Sequence, residues 1–457
     1  MLDTTLLRHK KVTYHTLGCK LNFAETATVQ RTLEEEGCRT AAKGEVADIC
    51  VVNTCSVTDV ADHKCRNIIR KLGRDNPGAF VLVMGCYAQL EPDQVADIEG
   101  VDLVLGMEQK GEVVRYLAER IPQKANPERM GASAACHEAV AVPISQVRTF
   151  VPSCSRGDRT RYFLKVQDGC NYYCTYCTIP MARGRSRNGS IASLVAQAEQ
   201  AAAEGGHEIV LTGVNMGDFG RSTRETFYDL VRALDGVEGV ARYRISSIEP
   251  NLLSPDIIRY CAASKRFTPY FHIPLQSGSD AVLKLMRRHY DTTLFAERVA
   301  EIRRTAPDAF IGVDVIVGTR GETAELFEET YRFVEGLDVS ELHVFTYSER
   351  PGTEALKIAH VVKPHEKKQR TNRLLALSEA KRRAFYERFV GTTRPVLWEH
   401  KQPNQPRKGF TDNYIRVAIA PECEHLVTVN LLCDVRLGSL NAQGDALIGY
   451  IDDITKT

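Results

Sequence analysis

Twice along this chain, short apolar runs alternate with amphipathic stretches of helical period, and that alternation limits the fold more than any other feature. In the first block, VTYHTL (12–17), ADICVVNT (47–54), FVLVMG (80–85) and VDLVLG (101–106) have strand character. FAETATVQRTLEEEG (23–37) and the stretches near 58–73 and 91–98 have helical character. Apolar strands spaced by amphipathic helices specify a parallel sheet with helices on its faces. Residues 1–122 are therefore expected to form a doubly wound α/β domain. In the second block the strands are RYFLKVQ (161–167), EIVLTGV (208–214), ARYRIS (241–246), YFHIPL (270–275), AFIGVDVIVG (309–318) and ELHVFTY (341–347). Six strand–helix units fall short of the eight units and ~250 residues of a closed barrel. A partial (β/α)6 barrel over 158–390 is expected.

Between the blocks, residues 123–157 are rich in Pro, Ala, Ser and charge and are expected to be a linker. Residues 363–394 carry ten Lys/Arg against three Glu in a helical pattern. Beyond them, TRPVLWEHK, NYIRVAIAP, HLVTVNLLCDVRLGS and ALIGYI look like short strands with turns. Residues 391–457 are thus expected to be a small, OB-like β-barrel, giving an α/β multidomain protein. The net charge is only +1, so any basic surface must be local. The start, MLDTTLLRHKKVTYHTLG, lacks an apolar signal-peptide core, and no run of eighteen apolar residues occurs. A cytoplasmic protein with no membrane partner is expected. In that compartment the fourteen cysteines stay reduced and form no disulfide framework. Cys38, Cys50, Cys136, Cys261, Cys423 and Cys433 read as core residues, and Cys65 and Cys154 fit burial or chance.

The other six cysteines form two trios. Cys19 follows VTYHTLG, Cys55 follows VVNT and Cys86 follows VLVMG, at gaps of 36 and 31 residues. Each gap is about one strand–helix–strand repeat. Parallel strands point the same way, so the three thiols should emerge at the carboxyl edge, where open α/β sheets bind ligands. Asn22 and Asn53 either orient these loops by side-chain hydrogen bonds or are simple turn residues. The second trio, Cys170, Cys174 and Cys177, lies on one loop, DGCNYYCTYCTIP (168–180), after the first barrel strand. Barrel enzymes keep their chemistry on that face. A structural zinc site wants four ligands, and these three could recruit a distant His or Cys; a redox C-x-x-C usually opens a helix in a smaller fold. Three thiolates suit three irons of a [4Fe-4S] cube and leave the fourth iron open.

Cys170-x-x-x-Cys174-x-x-Cys177 resembles the signature of radical S-adenosylmethionine (SAM) enzymes. Nearly the whole chain resembles one branch of them, the methylthiotransferases. TLGCKLNFAET, VVNTCSVT and VMGCYAQ are similar to the domain that carries an auxiliary cluster. DGCNYYCTYCTIPMARGRSR resembles the radical-cluster loop, and LTGVNMGDFG, RISSIEP, HIPLQSGSD, VDVIVG and YSERPGTEA resemble the barrel strand ends. GFTDNYIRV is similar to the TRAM domain, a small RNA-binding barrel. The resemblance implies two [4Fe-4S] clusters and SAM as cofactors, with transfer of a methylthio group to adenine C2. GCKLN around Cys19 looks most like members acting on N6-threonylcarbamoyladenosine at position 37 of tRNA. Others in the branch act on isopentenyladenosine, where GCQMN is more usual, or on an aspartate of a ribosomal protein. The implied partners are the anticodon loop of tRNA and an electron-donor protein. A zinc-bearing RNA-binding protein without catalysis is the alternative from a different class.

The resemblance also implies that Tyr176 lies near the adenine of SAM. Strand ends offer Gly206 and Glu208 for the methionyl group, Ser247 and Glu249 for the ribose, and Val315 and Val317 for the adenine. Plainer readings are a strand-start charge for Glu208 and core packing for the valines. For RNA, Arg183, Arg185 and Arg187 follow the cysteine loop. In the tail, Arg407, Lys408, Tyr414 and Arg416 mix basic and aromatic groups suited to phosphate and base contact. The basic segment 363–394 fits a solvated helix face as well as RNA. Two positions depart from the family pattern: Thr319-Arg320 stands where Phe-Pro is usual, and Thr346 where Pro is common. Without proline, position 320 regains an N–H donor and a free φ.

Overall fold

A computed structural model describes residues 3–125, 138–155 and 160–451. The first domain runs β1 (Lys11–Thr16), α1 (Lys20–Glu35), β2 (Arg39–Thr40), β3 (Ile49–Thr54), α2 (Asp59–Asp75), β4 (Phe80–Gly85), α3 (Cys86–Leu90), α4 (Pro92–Ala96), β5 (Leu103–Leu105), α5 (Val113–Ala125) and β6 (Glu138–Val140). Its sheet is parallel throughout, in the order β2-β1-β3-β4-β5-β6. Every residue of β3 and β4 is buried, as continuous apolar runs in the centre of a doubly covered sheet must be. Val51 and Leu82 pack to one face, Val52 and Val83 to the other. The strand β6 lies inside the stretch expected to be a linker and completes this sheet. Residues 126–137 and 156–159 of that stretch and its neighbourhood, with Cys136, lie outside the described residues.

The second domain contains β7 (Ser153–Cys154), β8 (Arg161–Lys165), β9 (Gln167–Asp168), α6 (Ile179–Arg183), β10 (Arg187–Asn188), α7 (Ile191–Ala203), β11 (Glu208–Thr212), α8 (Phe227–Asp235), β12 (Arg242–Ile245), α9 (Pro255–Ala263), β13 (Tyr270–Gln276), α10 (Asp280–Leu285), α11 (Thr292–Thr305), β14 (Phe310–Val317), α12 (Ala324–Gly336), β15 (Glu341–Thr346) and α13 (Pro364–Glu387). All six expected strands are present, as β8, β11, β12, β13, β14 and β15. They form two curved sheets, β12-β11-β8-β7 and β13-β14-β15, parallel except at β7. The sheets meet where the Ile248 N–H donates to the His272 carbonyl at 3.1 Å. The barrel is therefore partial. Its outer core lies between the strands and helices α7, α8, α9, α11, α12 and α13.

Helix α1 of the first domain lies against the concave side of this half-barrel. Phe23 and Ala24 pack on Phe163 of β8 and Val210 of β11. Lys20 donates to Ser246 Oγ at 3.2 Å, and Glu25 meets Lys165 at 2.9 Å. The basic helix α13 runs along β15 as a strut. Arg370 pairs with Glu322, Arg373 with Glu328 and Arg382 with Glu341, while Lys381 donates to two carbonyls of the α12 end.

The third domain is a closed barrel of β16 (Thr393–Trp398), β17 (Lys408–Thr411), β18 (Arg416–Ile419), β19 (Leu432–Leu440) and β20 (Leu447–Tyr450), in the order β16-β17-β18-β20-β19. Closure leaves no exposed sheet edge. Arg242 donates to the carbonyls of Pro395 and Phe410, and Arg244 to those of Thr411 and Asp412, which docks this barrel on the amino ends of β11 and β12. No helix among the described residues is long and apolar enough to cross a membrane.

Candidate active site

The strands β1, β3 and β4 are neighbours and end at one edge, with Thr16 beside Asn53 and Thr54 beside Gly85. Cys55 follows β3 directly, Cys86 opens α3, and Cys19 caps the start of α1. Asn22 stitches the loops together. Its Nδ2 donates to Leu17 O at 2.7 Å and Thr54 O at 3.0 Å. Asn53 Nδ2 donates back to Asn22 O at 3.0 Å. Glycine precedes two of these cysteines for a steric reason. Gly18 and Gly85 sit at φ +102° and +111°, and an added Cβ would meet Cys55 Cβ at 2.7 Å or Thr54 O at 2.3 Å. Burial pushes the Cys55 thiol up to about 12, and Cys86 and Cys19 push the same way. Such a trio ionises only with compensating positive charge.

The second trio sits beyond the carboxyl end of β8. Backbone N–H groups of Tyr172 and Ile179 reach the sulfurs of Cys170 and Cys177, each at 3.4 Å. Arg288 donates to Cys174 Sγ at 2.9 Å and is held by an ion pair with Glu249. Burial raises Cys170 to about 11 and Cys177 to about 12; it raises Cys174 against the pull of Arg288. Buried polar atoms without a hydrogen-bond partner cluster on the same strand ends: both amide atoms of Asn215, and one oxygen each of Asp218, Asn251 and Gln276. Buried polar groups are almost always paired, so this set fits a polar ligand.

A cavity of about 440 Å³ opens beside this loop. Tyr176, Cys177, Gln276, Asp314, Ile316 and Phe345 line it from the barrel, and Val57 and Thr58 from the loop after Cys55. The two cysteine loops therefore border one chamber. Helix α6, which follows Cys177, packs Ala182 against Cys86. Arg350, on the segment after β15, binds Ser56 at 2.8 Å and Asp62 at 2.6 Å, beside Cys55.

A buried charge network joins the two domains under the chamber. Glu25 meets Lys110 at 2.6 Å, Lys165 at 2.9 Å and Arg183 at 3.0 Å. Asp168 meets Lys165 at 2.7 Å, Arg183 at 2.9 Å and Arg187 at 3.2 Å. Four cations against two carboxylates leave excess positive charge. Arg183 and Lys110 direct it at Cys86, where they favour the thiolate. Both carboxyls are held well below their ordinary range by these cations, against the effect of burial.

Neither trio closes on a single ion. A tetrahedral zinc with ~2.3 Å bonds to sulfur draws its ligand atoms to within about 4 Å of each other. Among the described residues, the only group of three His, Cys, Asp or Glu ligand atoms within 4.8 Å of one another is His272, Asp314 and His343. These lie on β13, β14 and β15, facing the bore. His272 Nε2 and His343 Nδ1 reach the same Asp314 oxygen at 2.7 and 3.2 Å.

The structure places the expected site residues as follows. Tyr176 lines the chamber, its hydroxyl 3.5 Å from Arg288. Ser247 and Glu249 stand at the carboxyl end of β12, on the side of the second trio. Glu208 is fully buried at the amino end of β11, on Arg244 at 3.0 Å and Arg242 at 3.6 Å, and its carboxyl is held down at about 2. Gly206, at the same end, packs on Tyr162. Both are at the wrong edge for a ligand of the trio. Asn215 and Gln276, which follow or end strands at the right edge, are the candidates that sequence reasoning missed. Val315 and Val317 belong to the helix-facing core, whereas Asp314 and Ile316 face the chamber. Arg183 and Arg187 are buried on carboxylates, so the expectation of RNA contact is corrected for both. Arg185 is exposed. In the tail, Tyr414 is packed on Tyr270, Phe310 and Phe410 at the junction of the two barrels, with no face left for a base. Arg407 and Lys408 are half-buried, bonded to Glu399 O and Asp445, and Arg416 is more open. Arg320 donates to Glu349 and to the carbonyls of Leu356 and Ile358, clamping the loop after β15. Thr346 bonds Thr371 at 3.0 Å. Cys65 and Cys154 are buried, the Cys65 thiol donating to the carbonyl of Cys55 at 3.4 Å beside the first trio, and Cys38, Cys50, Cys261, Cys423 and Cys433 are buried as expected.

Residues 11–106 match a family model described as uncharacterized protein family UPF0004, and residues 164–334 match the radical SAM superfamily. Threonylcarbamoyladenosine tRNA methylthiotransferase MtaB of Bacillus subtilis is 38% identical over 416 residues, covering 89% of each chain. This chain belongs to the radical SAM methylthiotransferases. MtaB of Aquifex aeolicus is 34% identical, covering 89% of this chain and 96% of its own. Another methylthiotransferase, tRNA-2-methylthio-N(6)-dimethylallyladenosine synthase of Desulfotalea psychrophila, is 30% identical, covering 88% and 91%. Among solved structures, the radical SAM methyltransferase TsrM of Kitasatospora setae aligns at TM-score 0.55 and 17% identity, covering 76% of this chain and 77% of that one. That likeness concerns the fold.

Proposed function

We propose that this methylthiotransferase modifies C2 of N6-threonylcarbamoyladenosine at position 37 of tRNA, in the cytoplasm, with electrons from a donor protein. The observation that carries the reading is the single chamber bordered by the loops of both cysteine trios. Relatives named for the same nucleoside support the substrate. Cys19, Cys55 and Cys86 would hold one [4Fe-4S] cluster, and Cys170, Cys174 and Cys177 the other. Tyr176, Ser247, Glu249, Asn215 and Gln276 would hold SAM. When bound, these cofactors supply the one-electron cleavage chemistry and the methyl and sulfur that the product gains.

The chain's own residues bind, orient and shield. Arg288 stabilises the Cys174 thiolate and fixes Glu249 by the same guanidinium. Helix α1, held by Glu25, seals the concave side against water. Val57 and Phe345, apolar yet exposed at the chamber mouth, offer faces to an unstacked base of the anticodon loop. Arg185, Arg407, Lys408 and Arg416 are the cations left to meet phosphate. Mass analysis of tRNA nucleosides from cells lacking the gene tests this: the 2-methylthio form of threonylcarbamoyladenosine should vanish and return on complementation. Loss of the methylthio form of isopentenyladenosine, or of a ribosomal aspartate modification, overturns the substrate.

A further inference from the structure

Lys20 stands one residue after Cys19 and reaches across the bore of the half-barrel. Its ammonium donates to Ser246 Oγ at 3.2 Å and faces the charges of Arg161, Arg244 and Asp314. Other cations nearby each have a carboxylate partner, some of them shared. Lys110, Lys165 and Arg183 have Glu25, Arg161 has Glu399, Arg244 has Glu208, and Arg288 has Glu249. Among the described residues no carboxylate lies within ion-pair distance of the Lys20 ammonium. Asp314, the carboxylate it faces, is engaged by His272 and His343. A partly buried ammonium with one hydroxyl partner, flanked by two guanidiniums, is a site for an anion.

We infer that Lys20 binds the carboxylate of the acidic substituent on the adenine, and so selects threonylcarbamoyladenosine over adenosines with an apolar substituent. This rests on the reading of the chamber as the place where the modified base is held. An isopentenyl group would leave the ammonium buried without a counter-charge, which disfavours that substrate. Arg161 and Arg244 add positive potential behind Lys20, although their own carboxylates hold them in place. The methionyl carboxylate of SAM is a second possible source of the same chemistry, and the experiment separates the two.

The test compares wild type, Lys20→Gln and Lys20→Arg, all loaded with iron and sulfide to equal content. The RNA is an anticodon stem-loop carrying threonylcarbamoyladenosine or its methyl ester. Lys20→Gln should lose about 10- to 100-fold in kcat/KM on the acid, chiefly through KM, the usual scale for a hydrogen bond to a charged group. Equilibrium affinity for the acid stem-loop, measured by fluorescence anisotropy without turnover, should fall in step. On the methyl ester, wild type and Lys20→Gln should be alike, and Lys20→Arg should recover most of the loss on the acid. An equal loss on acid and ester, or a rise in KM for SAM with RNA affinity unchanged, overturns the assignment. A wild-type enzyme inactive on the acid stem-loop overturns the functional reading itself, an outcome distinct from a variant that matches an active wild type.

Discussion

Replacing Glu25 with Gln removes the anion on which cations from two domains converge. At 2.6–3.0 Å, each pairing of Glu25 with Lys110, Lys165 and Arg183 amounts to about 5–6 kcal/mol at an effective dielectric of ~20. The net loss is smaller. Gln keeps part of the hydrogen bonding, and Asp168 still binds Lys165 and Arg183. Breaking one member of a buried ion cluster costs about 3–5 kcal/mol, which we take as the expected loss for Glu25→Gln. Anaerobic urea unfolding of the full chain measures it, with limited proteolysis at α1 as a local readout. The pH dependence has a fixed sign. Glu25 is held well below the 4.5 of a free Glu, so its contribution is complete above 4.5 and is lost as pH falls toward the folded value. The gap between wild type and variant should therefore be widest at neutral pH and narrow in acid. A loss below about 1 kcal/mol, or a gap independent of pH, would refute the view that this network locks the domains together.

Two further outcomes follow from the same geometry. Alanine at Cys55 or at Cys177 should each cut iron from about eight to about four per chain, by elemental analysis of reconstituted protein. The Cys55 variant should still cleave SAM under reduction while failing to deliver a methylthio group, and the Cys177 variant should do neither. Glu208→Gln should loosen the docking of the terminal barrel, because Arg244 spans Glu208 and the carbonyls of Thr411 and Asp412. With its carboxyl at about 2 in the fold and 4.5 as the reference, Glu208 contributes about 3 kcal/mol above pH 4.5, lost progressively toward pH 2. Thermal melts at pH 7 and pH 4 should show the larger deficit at pH 7.

The strands were legible because burial on two faces forces unbroken apolar runs, as in CVVNT and VLVMG. The first trio was legible because a thiol placed after each parallel strand has only one edge to reach, the second because its three cysteines share one loop. The strand β6 was hidden: the short apolar run Ala139 to Val142 sits in a stretch rich in Pro, Ala, Ser and charge, and its place in the sheet comes from pairing with β5. Arg183 and Arg187 read as an RNA patch because a short basic run looks alike in solvent and in a buried network. Arg187 is anchored on Asp168, and Arg183 also on Glu25, 158 residues away, which only the packing of α1 into the half-barrel brings to it. The misplacement of Gly206 and Glu208 had a visible corrective. They stand at the amino end of β11, whereas Gly213, Val214 and Asn215 follow its carboxyl end, at the edge where parallel sheets bind ligands.

Electron paramagnetic resonance of the fully reduced, reconstituted protein tests most directly whether both trios serve one chamber. Two one-electron-reduced, paramagnetic clusters bordering a shared cavity should couple, giving a split spectrum that reverts to a single isolated signal in the Cys55→Ala or Cys177→Ala protein. A wild-type spectrum equal to the plain sum of the two variant spectra would place the clusters too far apart to act on one base, and would contradict the account.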